Sequence, residues 1–538
     1  MLLRSLVVLV LSGTAITLPA QGTTCPAPSA RAAGASWARW GADVRNTRAV
    51  PRGAVQIDRA ALERLQFKWA VSLGDVMNAR SQPAVFAGTV YVGSESGHLR
   101  AIDAESGCVR WTMANGAPVR SGIVVAPLGA DTLVWFGDVA GHVHAVDART
   151  GTKRWTRRVD AHMAAIITGT PQLHANTLYV PVSSYEVVLP LQPAYACCSF
   201  RGSVVAVDAG TGTVRWQSFT IADTARATAS GATGVTARGP SGAAVWSTPT
   251  IDEARGRLYV GTGNNYSEPT TSTSDAILAM ELATGRIVWS RQYTANDAYH
   301  LGCDVPGKPK CPASDGPDAD FGQPPILQQL DGGRRVLVVG QKSGMVHALD
   351  PDRDGAPLWS VRAGGGGKLG GAHWGSAADA RTVYVPIGGQ EMTPVADSTR
   401  PEGFRLDPIP TKGGGLVALD LATGRERWRA APASCAGRSR CTPAQSAPAT
   451  VAGDVVVSGA VDGVLRAYDV RDGRVRWTFD TVRDFTPVNG GRGRGGALDV
   501  AGPVIVGRIL YVMSGYGQYG GLPGNVLLAF EVRETTRR

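Results

Sequence analysis

Seven times along this chain an acidic residue is followed by a glycine and then by a tryptophan, at nearly constant spacing. The first copy runs Ala101-Ile102-Asp103-Ala104-Glu105-Ser106-Gly107-Cys108-Val109-Arg110-Trp111; the others cover residues 147–155, 208–216, 281–289, 350–359, 420–428 and 469–477. A truncated eighth copy stands at 525–531. Each copy goes with β-forming runs such as Val90-Tyr91-Val92-Gly93 and His98-Leu99-Arg100-Ala101-Ile102. A unit therefore holds four short strands, which is one propeller blade. Asp and Gly suit the tight turn, and the tryptophan can wedge between neighbouring blades and bury a large apolar area. The expectation is an all-β fold, an eight-bladed β-propeller. Its last strand, 524–530, lacks a tryptophan of its own and is expected to complete a blade begun by an N-terminal segment around 67–71.

The repetition overrides length as a guide to domains. No polar or glycine-rich linker divides the units, so residues 21–538 read as one domain. Extra length at 187–196, 222–241, 294–323 and 392–411 falls between strands, and such insertions tend to gather on one face, where a site is expected.

Residues 1–20 read as a secretory signal, with Arg4, the apolar run 6–11 and Leu18-Pro19-Ala20. The mature chain is thus expected to be periplasmic or secreted. The run is too short for a membrane span and no later stretch replaces it, and Gly22-Thr23-Thr24 before Cys25 lacks a lipid-attachment pattern. Eight cysteines in an exported chain favour disulfides. Cys303 with Cys311 and Cys435 with Cys441 would close short loops, leaving Cys25 for Cys108. No Cys-x-x-Cys-His is present for covalent haem, and no Cys/His cluster for zinc. The formal charge of +10 comes from arginines scattered singly through turns, not from basic runs. Nucleic acid is therefore not expected as a partner. An acidic redox partner or an anionic cofactor suits such a surface.

The repeats, together with Trp37-Ala38-Arg39-Trp40-Gly41, Asn46-Thr47-Arg48, Ser183-Ser184-Tyr185-Glu186, Cys197-Cys198-Ser199-Phe200-Arg201-Gly202 and Ser514-Gly515-Tyr516-Gly517, resemble the pyrroloquinoline-quinone (PQQ)-dependent alcohol dehydrogenases. Within that family they look most like the polyvinyl alcohol dehydrogenase branch. The resemblance implies PQQ beside Ca2+ or another divalent cation. A planar quinone with three carboxylates needs a flat apolar platform, cations for its acid groups and a Lewis acid at its reactive carbonyl.

Residue by residue, the resemblance implies that Trp246 stacks on the quinone, Lys342 reaches its oxygens and Thr168 donates a hydroxyl. Glu186, Asn264 and Asp297 match the metal ligands, an all-oxygen set suited to a hard cation. Asp297 also matches the general base that takes the alcohol proton while a hydride passes to the quinone. Read without the family, Asn264 is a turn residue, Glu186 a solvated loop charge, Asp297 an acid in an insertion and Thr168 a β-branched strand residue. Cys197 and Cys198 would form a vicinal disulfide, which draws the Cα atoms closer than the usual span and serves in the family as a lid over the quinone; here the pair follows Glu186, whereas in methanol-type members it precedes that position. Arg80 stands where the methanol-type enzymes have a cofactor-binding glutamate, and is read as a partner for a cofactor carboxylate. His373 stands where they have an asparagine and is left unassigned.

The function this implies is oxidation of an alcohol, a secondary alcohol or polyvinyl alcohol, with electrons passed to an external cytochrome c. The alternative is a non-enzymatic propeller scaffold of the outer-membrane-assembly type. A homologue that keeps the fold and has lost the cofactor is a third reading.

Overall fold

Every repeat unit carries two largely buried middle strands between edges that differ in exposure, and this gradient orders each blade from axis to rim. In the first blade the strands are Ala84–Phe86, Thr89–Gly93, His98–Asp103 and Val109–Ala114, an antiparallel meander running outward in chain order. Thr89–Gly93 is buried throughout, whereas Val109–Ala114 is half exposed. Eight such sheets form the propeller. The computed structural model describes Cys25 and residues 36–534, except 52, 193, 231–235, 305–310, 399–403 and 436. The expected signal, residues 1–20, lies outside the described residues.

The repeat phrase works between blades. Gly285 has φ +73°, and a Cβ there would fall 2.5 Å from Trp216 of the preceding blade. Gly107, Gly151, Gly212, Gly355, Gly424 and Gly473 meet the previous tryptophan in the same way. Glycine is needed twice over, for the left-handed turn and for the indole lying on it. The indole N–H then reaches into the next blade, as in Trp111 Nε1 donating to the Ala148 carbonyl at 3.1 Å. The acidic residue closes the turn. Asp147 Oδ1 accepts from the N–H groups of Arg149 and Thr150, and its Oδ2 from Arg154. Many of the scattered arginines therefore belong to turns.

The ring closes as expected, by Leu65–Ser72 pairing antiparallel with Val526–Val532. Trp69 lies opposite Ala529, the register that Trp111 holds opposite Ala101. It is thus the eighth blade's tryptophan, supplied from the other end of the chain, and Gly107 rests on it.

Ahead of that strand, an N-terminal arm circles one end of the axis and touches the blades in order. Trp37 pairs with Val85, and Ala38 accepts from Val125. Arg39 donates to Leu173; Val44, Arg45, Thr47 and Arg48 accept from Ile251, Leu327, Ala378 and Val451; Gln56 donates to Gly507. The arm therefore floors the central channel.

The disulfides are Cys25–Cys108, Cys303–Cys311 and Cys435–Cys441, with the vicinal Cys197–Cys198 as the fourth. Among the described residues no helix is long and apolar enough to cross a membrane.

Candidate active site

Position within the blade, more than residue type, defines the site. The residue four places ahead of each innermost strand faces the axis: Arg80 before Ala84–Phe86, Arg120 before Val124–Leu128, Thr168 before Gln172–His174 and Trp246 before Thr250–Asp252. Gly322 before Ile326–Gln329 and Val500 before Val504–Val506 follow the same rule, and Trp374 precedes Ala377–Ala378. These residues line a cavity on the propeller axis. Two places further on, Gln82, Gly122, Thr170, Thr248 and Pro324 make its lower tier, and Trp40 of the N-terminal arm also lines it.

Trp246 is half buried, its ring meeting Trp374 and His373 edge to face at 5.5 and 5.6 Å. A Cβ at Gly322 would fall 2.1 Å from Trp246 Cη2, so glycine there lets the fifth blade close on the indole edge. The Thr168 hydroxyl donates to the Trp246 carbonyl at 3.4 Å. His373 stacks on Trp374 at 4.2 Å, and burial, Lys342 and Arg120 drive its pKa far down, keeping it neutral. Arg80 donates to Gln518 and pairs with Glu95, but its buried Nε has no partner. Arg120, which the sequence reading passed over, sits 5.6 Å above Trp374 and makes no hydrogen bond or salt bridge with any described residue.

Beside the indole lies a cluster of acids around one lysine. Lys342 Nζ is 2.7 Å from Asp318 Oδ2, 3.3 Å from Asp320 Oδ2 and 6.0 Å from the Trp246 ring centre. Desolvation works against its charge, but the two carboxylates outweigh it and hold the ammonium protonated. Asp320 Oδ1 accepts the Asn264 N–H at 2.7 Å. Asp297 is fully buried, its oxygens taking the main-chain N–H groups of Asp318 and Ala319 at 3.2 and 2.7 Å. It thereby shapes the segment that carries Asp318 and Asp320. Burial raises the pKa of Asp297 and, more strongly, of Asp318, while Lys342 pulls both back. Asp275 is also buried, and neither of its oxygens has a partner among the described residues. Desolvation and the neighbouring Asp297, Asp320 and Asp318 push it far up.

Asp318, Asp320 and Asp275 were not among the residues expected from the sequence. Asp318 and Asp320 lie at the end of the 294–323 insertion, in Asp318-Ala319-Asp320-Phe321-Gly322, just ahead of the fifth innermost strand. That location was the available signal.

Two of the expected metal ligands, Asn264 and Asp297, stand on adjoining segments. Asn265 N–H donates to the Asp297 carbonyl, and Asn264 Nδ2 donates to the carbonyls of Asn265 and Tyr299. Asn264 Oδ1 is left accepting no hydrogen bond from a described residue. Glu186 is fully buried and accepts from the Tyr195 hydroxyl and the Ser199 and Phe200 N–H groups at 2.7 to 2.8 Å. Tyr266 is buried, its pKa raised by burial and by the charges of Asp320, Glu186 and Asp318. Cys198 belongs to the apolar cluster on which Cys197 and Trp246 both pack, and the vicinal pair is fixed by mutual main-chain bonds with Arg238. Among the described residues the only trio of His, Cys, Asp and Glu donors close enough to share an ion is Cys303, Cys311 and Asp315. Its cysteines are disulfide-bonded and do not ligate.

The family profile described as "Glucose/ethanol/alcohol dehydrogenase, beta-propeller domain" matches residues 37–364. A polyvinylalcohol dehydrogenase of a Pseudomonas species is 37% identical over 515 residues, covering 92% of this chain and 77% of that relative. This chain belongs to the PQQ-dependent alcohol dehydrogenase propeller family. A second polyvinylalcohol dehydrogenase, from Sphingopyxis, is 34% identical over 97% of the chain and 80% of its own length. The crystal structure of quinohemoprotein alcohol dehydrogenase from Comamonas testosteroni superposes with a TM-score of 0.66 at 21% identity, over 92% of this chain and 80% of that one. The profile of the outer membrane protein assembly factor BamB matches residues 342–524. BamB from Moraxella catarrhalis superposes at a TM-score of 0.51 and 16% identity over 87% of this chain and 99% of that one, a likeness of fold.

The groups that membership of the PQQ-dependent dehydrogenases implies fit these residues. The cavity is lined by an indole face and two guanidinium groups, and a lysine stands beside that indole. Against that single lysine stand four buried aspartates, of which Asp275 has no hydrogen-bond partner on either oxygen among the described residues. Buried carboxylates in such excess call for a cation, and their all-oxygen chemistry suits a hard one.

Proposed function

We propose that this chain is a periplasmic PQQ- and Ca2+-dependent dehydrogenase that oxidises secondary alcohols, polyvinyl alcohol among them, and passes electrons to an external cytochrome c. The observation that carries this reading is the cavity lined by Trp246, Arg80 and Arg120, with Lys342 and a surplus of buried carboxylates beside the same indole. The two polyvinylalcohol dehydrogenase relatives support the substrate. Four disulfides support an oxidising compartment.

When bound, the quinone supplies the hydride-accepting centre and the cation polarises its reactive carbonyl. Trp246 offers the flat face, with Cys197 and Cys198 packed on the same apolar cluster. Arg80 and Arg120 offer guanidinium groups to the cofactor's carboxylates, and Thr168 a hydroxyl. Glu186, Asn264 and Asp297 hold the cation through oxygens that keep unused lone pairs. Asp318 is a better candidate than Asp297 for the base that removes the alcohol proton. Its contact is the side chain of Lys342, whereas both oxygens of Asp297 are committed to the main chain. Lys342 stays charged and anchors the base.

The test is reconstitution of the purified protein with PQQ and Ca2+, following dye reduction with polyvinyl alcohol and simple secondary alcohols. Turnover that requires both additions is expected. A protein that binds no quinone would sink the enzyme reading and favour the scaffold reading raised by the match over residues 342–524.

A further inference from the structure

The N-terminal arm carries a charge that the reaction described above does not use. Arg48 is fully buried. Its five N–H donors are taken by the carbonyls of Ala449, Trp40 and Pro503, the Gln82 amide oxygen and the Thr450 hydroxyl, at 2.6 to 3.0 Å. Its guanidinium lies 4.6 Å from the ring centre of Trp40 and 5.3 Å from that of Trp37. Gly502 leaves room for it, since a Cβ there would fall 2.1 Å from Nη2.

Every partner is neutral, and no described carboxylate pairs with it. Buried charges are ordinarily paired with an opposite charge, because neutral dipoles satisfy hydrogen bonds without cancelling the field. Two of its partners, Trp40 and Gln82, line the cavity. The guanidinium therefore sits one layer below the cavity floor, held rigid by the arm and by the seventh and eighth blades. Two further guanidinium groups, those of Arg80 and Arg120, line the cavity itself.

We propose that Arg48 is a positioning residue whose uncompensated charge biases the cavity floor toward an anionic ligand, so that the N-terminal arm contributes to cofactor affinity from beneath. The inference rests on the PQQ reading of the cavity. A unit charge about 10 Å from a carboxylate, at the effective dielectric of a protein site, is worth roughly a tenfold change in affinity.

The experiment titrates PQQ into the apoprotein and follows quenching of tryptophan fluorescence, with the apoprotein melting temperature recorded for each variant. Arg48→Gln is expected to weaken PQQ binding about tenfold and Arg48→Lys to stay within about threefold of wild type. Should Arg48→Gln not fold, Thr450→Asp supplies a carboxylate to the guanidinium from outside the cavity and should weaken binding similarly with Arg48 still in place. Equal losses in Gln and Lys variants that track their melting temperatures, or wild-type affinity in Thr450→Asp, would overturn the inference. Wild-type protein that binds no PQQ would remove the reading on which it rests, and this inference with it.

Discussion

Aspartates at the rim and aspartates on the axis of this propeller are the same side chain put to opposite uses. At the rim, desolvation works against the charge of Asp147, but the hydrogen bonds of Arg154, Thr150 and the turn N–H groups together outweigh it and lower its pKa to about 2. On the axis, burial of Asp318 and the nearby carboxylates push its pKa up, and Lys342 only partly offsets them. Each rim acid is balanced by its own turn and its own arginine. The axis holds Asp275, Asp297, Asp318 and Asp320 around one lysine. A repeat that satisfies itself needs nothing else, whereas a cluster left in deficit is built for something that comes from outside.

The sharpest way to break this comparison is at the lysine-bound acid. Asp318→Asn should lower kcat by about a thousandfold with the fold intact, as loss of a general base does. Asp297→Asn should cost stability first, since it disturbs the carboxylate that organises the Asp318–Ala319 main chain. Steady-state kinetics with thermal melts on both variants decides between them. Normal stability with abolished turnover in Asp297→Asn, and near-normal turnover in Asp318→Asn, would return the base to Asp297.

Next in size is a rim glycine. Gly285→Val adds a β-branched side chain at φ +73°, with its Cβ 2.5 Å from Trp216. Strain and overpacking together should destabilise by about 3–5 kcal/mol, read from urea unfolding of the apoprotein. Loss of less than about 1 kcal/mol would mean that the blades can slide to admit it.

Why one region was legible in the sequence and the other only in part follows from the same contrast. Seven turns were visible because each repeats one solution to one local problem. Trp69 escaped that pattern because it belongs to a strand far in sequence from the rest of its blade, so no phrase surrounds it, although segment 67–71 was recognisable as the closing strand. On the axis, resemblance marks Trp246, Thr168 and Arg80, which line the cavity, and Lys342, which stands beside Trp246. Asp318 and Asp320 were hidden by the irregular 294–323 insertion, where no period marks a position, and Arg120 by looking like one more turn arginine. Arg48 was noticed only as part of a motif; its isolation from every carboxylate is a property of packing that residue order does not express.

Asp499 extends the comparison to pH. It is buried on the axis side, and desolvation raises its pKa to about 6 although Ser446 and the Val500 N–H lower it. A folded-state pKa above the unfolded value of about 3.8 gives a contribution that is complete below pH ~4 and is lost as pH rises through ~6. At neutral pH the deficit approaches about 3 kcal/mol. Asp499→Asn keeps an acceptor for both donors and should remove the slope, so that apoprotein stability stays level between pH 4 and 7 on this account. An unchanged slope would mean that another axis acid, Asp275 being the first to replace, carries the pH dependence.

The smallest effect belongs to the rim. Arg154→Met removes the ion pair with Asp147 but leaves the N–H groups of Arg149 and Thr150 on Asp147 Oδ1. Arg154 is solvent-facing, and exposed pairs of this kind are screened by water and salt, so the melting temperature should move by no more than about 1 °C. The turn is held by its main-chain bonds and by Gly151 lying on Trp111, and the arginine adds charge balance to a geometry already fixed. A shift of several degrees would show that the rim acids, like those on the axis, depend on the charge opposite them. The division between a self-satisfied rim and an axis in deficit would then have to be drawn by geometry instead of electrostatics.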